Sequence, residues 1–373
     1  MSADVALQRP YYAGLNGLRF FAASSVVIYH GELVKMKLGL SNILWANPFI
    51  ANIGQMAVNF FFVLSGFLIT TLLYHESKSS GVISIKKFYW RRVLRIWPPY
   101  YTCLIICFFV LPHVSIYKDF SEHPSHHPFI AFLLYLFLLP NFVPLFSGTQ
   151  FWVNHLWSIG VEEQFYFVWP WLIKFFKKSI VPILGVIMVF VLARVILRTT
   201  LYLDFLEPEQ VSAWNRFISS IRIHCMAIGA LGAWAIDKKK SVIETIFTFQ
   251  FQFFTYALTV YLLVSNFKLS TINDELYCIL FLIIIINVAN NPKSVIKLSW
   301  TGFKLLGNLS YGLYVYHMIA IFGVCKLWIQ VDDRATLYNI LIQHILFLSA
   351  TLLLAYISYI AIERRLLRLK YSI

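Results

Sequence analysis

The chain has 373 residues, 59% of them hydrophobic and only 13% charged, and a mean hydropathy of +0.70. A soluble domain carries about 45–50% apolar and about 25% charged residues. These proportions therefore exclude an ordinary soluble enzyme, a disordered chain and a small secreted scaffold, and leave a polytopic membrane protein. The formal net charge of +14 does not point to nucleic acid, because membrane proteins gather Lys and Arg on their cytoplasmic side.

Spanning about 30 Å of hydrocarbon takes about 20 apolar residues. In chain order the apolar runs are 15–31, 55–74, 97–112, 129–147, 161–173, 179–197, 217–236, 246–264, 275–290, 303–324 and 336–362. The first lacks a small-residue cleavage site and reads as a retained anchor. The last ends a few residues before Ile373, so residues 1–373 are expected to form one transmembrane domain with no appended soluble domain.

Charge tests the number of crossings. The 75–96 loop carries Lys78, Lys86, Lys87, Arg91, Arg92 and Arg95 against Glu76 and is expected to be cytoplasmic. Further basic clusters are Lys174/Lys177/Lys178, Lys238–Lys240, Lys293/Lys297/Lys304 and Arg364/Arg365/Arg368/Lys370. If all eleven runs cross, two of these clusters fall outside; if 129–147 does not cross, all fall inside. That run is interrupted by Pro140 and Pro144, each of which removes a helical hydrogen bond. The expectation is an all-α bundle of about ten transmembrane helices plus one re-entrant or interfacial segment, with both termini cytoplasmic. The alternative is that the short run 161–173, with Glu162 and Glu163, fails to cross instead. Outer loops are then mixed or acidic: Asp119/Glu122, Asp204/Glu207/Glu209, Asp274/Glu275 and Asp332/Asp333. His113, His123, His126 and His127 sit among prolines without helical spacing and read as a solvated loop. The five Cys form no CxxC pair and read as small hydrophobes. No ligand set with metal spacing is found.

Ionisable groups inside a bilayer are costly and default to functional hypotheses. In the first span Arg19 and His30 are eleven residues apart. They return to nearly the same helix face with a rise of roughly 16–17 Å. A donor with phosphates at one end and a reactive group on a long thin arm fits that spacing, as a coenzyme A thioester does. The competing reading is a snorkelling arginine and a satisfied helix-end histidine. In FYWRRVLRIWPP (88–99), Arg91, Arg92 and Arg95 form a dense cationic cluster suited to phosphate, or to anionic lipid. The Pro98–Pro99 pair reads as the point where the helix restarts. In NHLWSIGVEEQFYFVWP (154–170), Glu162 and Glu163 are expected at the depth of His30, where a carboxylate orients the imidazole for general-base work. They also suit a helix N-terminus. Trp157, Trp169 and Trp171 fit an interfacial belt. In LGNLSYGLYVYH (306–317), Ser310, Tyr314 and His317 share one helix face and make a polar stripe, for substrate or for helix–helix hydrogen bonds. Arg194, Arg222 and His224 are weaker candidates.

Taken together, these segments resemble the acyltransferase-3 family of membrane O-acyltransferases. GLNGLRFFAASSVVIYH matches the family's opening helix, FFVLSGFLIT its second, and Arg92 and Arg95 its Arg-x-x-Arg. WSIGVEEQFY matches its Trp-Ser-Leu-x-x-Glu-Glu signature, and LSYGLYVYH its late Ser-Tyr-x-x-Tyr helix. Asn16 stands where the family often has Asp, Ile159 replaces Leu, and Arg365 stands where Pro is usual. The resemblance implies acetyl-CoA or another acyl-CoA as cytoplasmic donor, a carbohydrate hydroxyl as acceptor, and a bacterial cytoplasmic membrane location. On it, His30, Glu162 and Glu163 are catalytic candidates. Arg19, Arg91, Arg92 and Arg95 are donor-binding candidates. Trp157, Ser158, Ser310, Tyr314 and His317 are acceptor-binding candidates. The rival class is a transporter or channel for an anionic or glycan substrate; a third is a non-catalytic partner in polysaccharide export.

Overall fold

A computed structural model describes residues 10–120, 127–147, 152–201, 207–267, 269, 272–329 and 336–369. Among them every regular element is helical. In order these are α1 (Ala13–Lys37), α2 (Pro48–Ser80), α3 (Ile85–Ile105), α4 (Pro128–Leu136), α5 (Val143–Phe146), α6 (Trp157–Phe176), α7 (Val181–Leu201) and α8 (Pro208–Ser220). Then come α9 (Ile223–Lys238), α10 (Lys240–Ile246), α11 (Phe249–Val264), α12 (Asn273–Asn290), α13 (Gly302–Trp328), α14 (Leu337–Ser358) and α15 (Arg364–Arg368). Starts and stops follow local chemistry. Asn47 accepts from the Phe49 amide ahead of Pro48, and Ser84 accepts from the Lys87 amide. Gly81 ends α2 at φ 72°, the left-handed conformation glycine adopts without strain.

Among the described residues seven helices are long and apolar enough to cross a membrane, or eight if the α10–α11 pair, bent by 66°, is one span. At 25 and 20 residues, α1 and α6 reach the same length, but Arg19, Glu32 and Lys35 in one and Glu162 and Glu163 in the other dilute their apolar content. The 129–147 run is broken. α4 has nine residues, rising only about 14 Å, and the chain turns at Leu138 with φ 60°. Tyr100 and Tyr101 of α3 donate to the carbonyls of Tyr135 and Leu136 at the end of α4. Such carbonyls need partners where water is excluded. The stub then packs on α6 through a reciprocal Asn141–Gln164 amide pair at 2.7 and 3.4 Å.

The basic clusters gather at one end of the bundle. Asp237, ending α9, pairs with Lys78 of α2 and lies 3.6 Å from Lys178 of the α6–α7 turn. The other surfaces are inverted relative to a soluble protein. Leu184, Met188, Leu192 and Ile196 form an exposed stripe along α7, which is the face a bilayer covers.

Two expectations are corrected. α3 runs unbroken through Pro98 and Pro99; neighbouring helices support such prolines in a membrane bundle. Trp169 is 1% exposed, donates to Thr70 at 2.8 Å and stacks on Phe165, so it belongs to the core and not to an interfacial belt. Glu122, His123, His126, Asp204, Asp332, Asp333 and Lys370 lie outside the described residues.

Candidate functional site

α1 lies between α2 and α13, with α6 and α3 closing on the same side of the bundle. This brings distant motifs onto one buried seam. At the end away from the basic clusters sit three imidazoles. His30 of α1 and His317 of α13 have ring centroids 4.6 Å apart. His155, in the single turn before α6, lies 4.6 Å from His317 and 6.5 Å from His30. Each ring is held by a backbone carbonyl: His30 Nδ1 lies 3.0 Å from the Val26 oxygen, His155 Nε2 3.0 Å from that of Val315, and His317 Nδ1 2.6 Å from that of Tyr314. A carbonyl only accepts, so each of these nitrogens carries the hydrogen and the other nitrogen carries a lone pair. His155 Nδ1 and His317 Nε2 are buried without a protein partner.

Tyr314 and Ser158 adjoin this cluster. Their hydroxyls are 2.5 Å apart, and Tyr314 also donates to the His155 carbonyl at 2.8 Å. Ser310 shares the Tyr314 face of α13 but turns its hydroxyl onto the Gly307 carbonyl of its own helix. Trp157 is half-buried against Phe62 and the Arg222 guanidinium.

The glutamates are not placed as expected. Glu162 accepts from Ser65 of α2 at 2.7 Å, and Glu163 accepts from Trp97 of α3 at 3.0 Å. Among the described residues no hydrogen bond joins either to His30. The reason is depth: Glu162 is five residues along α6 from Trp157, about 7.5 Å further toward the basic end. The group that orients His30 is the Val26 carbonyl one helical turn behind it.

At the other pole, Arg19 lies close to Arg92 and Arg95, with Glu162 and Tyr166 beyond. Arg92 packs over the Phe88 and Tyr166 rings at 5.7 and 5.9 Å. None of these three guanidiniums forms an ion pair among the described residues. Arg91 departs from them: it is tied to Glu76 at 3.0 Å, so the cluster is Arg19, Arg92 and Arg95. Like charges brought together in a poorly hydrated place leave a demand for an anion. Among the described residues no group of His, Cys, Asp and Glu is arranged to hold a metal ion.

Sequence reasoning passed over His155, although it stands in the quoted 154–170 stretch, and over Ser65. Isolated buried polar residues there were its only signal. It also missed Glu32 and Lys35, which pair at 2.5 Å with no exposure, Glu32 meeting His344 at 3.2 Å. Asp274 and Glu275, read as an outer loop, are instead drawn into the bundle by Arg194 at 2.9 and 3.0 Å.

Fold and seam define a polytopic helical membrane protein whose polar interior links a guanidinium cluster to a histidine cluster. A family profile described as an acyltransferase domain matches residues 12–361, and the chain belongs to the acyltransferase-3 family. It is 28% identical over 369 residues to the O-acetyltransferase OatA of Staphylococcus aureus (strain NCTC 8325 / PS 47), covering 95% of this chain and 57% of that protein. It is 27% identical over 376 residues to YrhL of Bacillus subtilis (strain 168), covering 95% and 54%; the name of YrhL assigns it provisionally to peptidoglycan O-acetylation. The chain thus spans little more than half the length of the curated relatives it matches. No solved structure matches it at a significant level.

Proposed function

We propose that this chain moves an acyl group, acetyl in the first instance, from a coenzyme A thioester to a hydroxyl of a carbohydrate acceptor. The observation that carries the reading is the seam itself. Arg19, Arg92 and Arg95 form an anion site at the basic end, and His30 presents a lone pair about 16 Å along the same helix from Arg19. The names of the relatives support acetyl and a cell-wall glycan.

In this reading the bundle crosses the membrane ten times, α1 and α6 included, and 129–147 is a re-entrant or interfacial stub. The basic end faces the cytoplasm by the positive-inside rule, and the membrane is the bacterial cytoplasmic one. The guanidiniums clamp the donor's phosphates, and the thioester arm runs past Tyr166, Glu162 and Ser65. His30 Nε2 takes the proton as the acceptor oxygen attacks the thioester carbon. The carbon–sulfur bond then breaks, and the proton passes from the imidazolium to the departing thiolate. The Nδ1–H bond to Val26 fixes the tautomer this requires. An acyl-His30 intermediate uses the same geometry in two steps. His155, His317, Ser158 and Tyr314 surround the acceptor hydroxyl.

The test is transfer of label from radiolabelled acetyl-CoA to a glycan by the purified protein in nanodiscs. A transporter would move its substrate without consuming thioester. Arg92→Ala and Arg95→Ala are expected to raise the KM for acetyl-CoA about 10–100-fold, since hydrogen bonds to charged groups contribute about 1.5–3 kcal/mol each. Acceptor KM should change little. An equal rise in both would assign the arginines to folding or lipid anchoring. Cysteines introduced at Ser79 and Ser265 should be labelled from opposite sides of the membrane; labelling from one side breaks the topology.

A further inference from the structure

A second polar site lies away from the histidines, at the end of the bundle opposite the basic clusters. There α2, α7, α11 and α12 surround a cavity of about 190 Å³. Its walls include the amides of Asn52, Gln55, Asn266 and Asn273, with Arg198 and Asp274. Behind it stands a buried ionic network. Asp274 takes Arg194 at 2.9 Å on one oxygen and the Asn59 amide at 2.9 Å on the other, with Arg222 at 3.9 Å. Glu275 takes Arg194 at 3.0 Å and His224 at 3.1 Å. Arg198 forms no ion pair among the described residues. Arg194 and Arg222 are thus taken up by the two carboxylates, while Arg198 lines the cavity.

We propose that this cavity receives an acidic sugar unit of the acceptor chain, its carboxylate on Arg198 and its hydroxyls on the amides and Asp274. The inference rests on the reading of the protein as a carbohydrate O-acyltransferase. Size, polarity and charge each support it. A cavity of about 150 Å³ holds a benzene ring, so this one takes a single six-membered ring. Four amides both donate and accept, which suits hydroxyl groups, and Phe49 and Tyr277 supply apolar faces for ring carbons. A lipid phosphate group fits less well, because it only accepts and offers no hydroxyl donor to Asp274.

A chain of side-chain contacts runs from the cavity to the seam. Asp274 leads to Arg222, whose guanidinium donates to Asn59 at 2.7 Å and lies 5.7 Å from the Trp157 ring. Trp157 immediately precedes Ser158, at the histidine cluster. An extended glycan with one unit in the cavity would thus approach the imidazoles with a different unit, making the cavity a determinant of which glycan is acylated.

Binding of methyl glucuronide and of methyl glucoside to the full protein in phosphatidylcholine nanodiscs, read by saturation-transfer NMR, tests this. The glucuronide should bind about tenfold more tightly, the gain typical of a charge-assisted contact. Arg198→Gln should erase the preference and Arg198→Lys should retain part of it. Equal binding of the two sugars, or a preference that survives Arg198→Gln, overturns the proposal. So does the absence of sugar binding together with an Arg198-dependent retention of phosphatidylglycerol, which would assign the cavity to a lipid headgroup. Failure of the wild-type protein to consume any acyl-CoA would remove the transferase reading, while the sugar-binding result would still decide the cavity.

Discussion

Replacing His30 by alanine is expected to lower acetyl transfer by about 10²–10⁴-fold, the contribution typical of a positioned general base, while the protein remains folded. His30 is the half-buried member of the three imidazoles, whereas His155 and His317 are 4% and 0% exposed, so it is the ring an arriving hydroxyl can reach. Its removal deletes the lone pair and leaves the Val26 carbonyl in a helix that already satisfies its backbone. The decisive comparison is kcat at saturating acetyl-CoA, alongside thermal unfolding in detergent. Full activity in His30→Ala would end the base assignment. His30→Gln keeps a side chain of similar length but cannot hold a proton, and should be as inactive as alanine.

The largest structural effect is expected at Gly66. A Cβ there would lie 1.8 Å from the Met226 carbonyl oxygen, and one on Gly229 would lie 2.0 Å from that of Val63. The two glycines clasp α2 and α9 backbone to backbone, the close approach that small residues allow between membrane helices. Gly66→Val must drive these helices apart, because carbon and oxygen normally approach no closer than about 3.3 Å. The expected cost exceeds about 3 kcal/mol, beyond ordinary overpacking, and should appear as loss of monodisperse protein after solubilisation. Gly185 in α7 is the control: beyond its own turn of helix nothing lies within 4 Å of a Cβ placed there. Gly185→Ala should be neutral or stabilising by about 0.5–1 kcal/mol. Unfolding temperatures that agree between the two variants would remove the clasp from the account of stability.

Local rules were enough for what is local. Membrane character follows from composition. The helices follow from apolar runs bounded by polar caps, and the break in 129–147 from two prolines that each delete a hydrogen bond. Arg19 and His30 share a face because helical periodicity is a property of one segment, and the common end of the basic clusters follows from charge. Packing decided the rest. Which helix hydrogen-bonds Glu162, and why His155 matters, depend on approaches between segments 97 and 160 residues apart. Glu162 and Glu163 follow one another in the chain, yet neighbours on a helix point about 100° apart. One accepts from α2 and the other from α3, and among the described residues no hydrogen bond joins either to α1. Asp274 and Glu275 sit at the start of a helix and have the sequence signature of a loop, but Arg194 and Arg222 from two other helices bury them. A charge enters an apolar interior only when its partner is already there, and the partner's position is set by the packed helices alone.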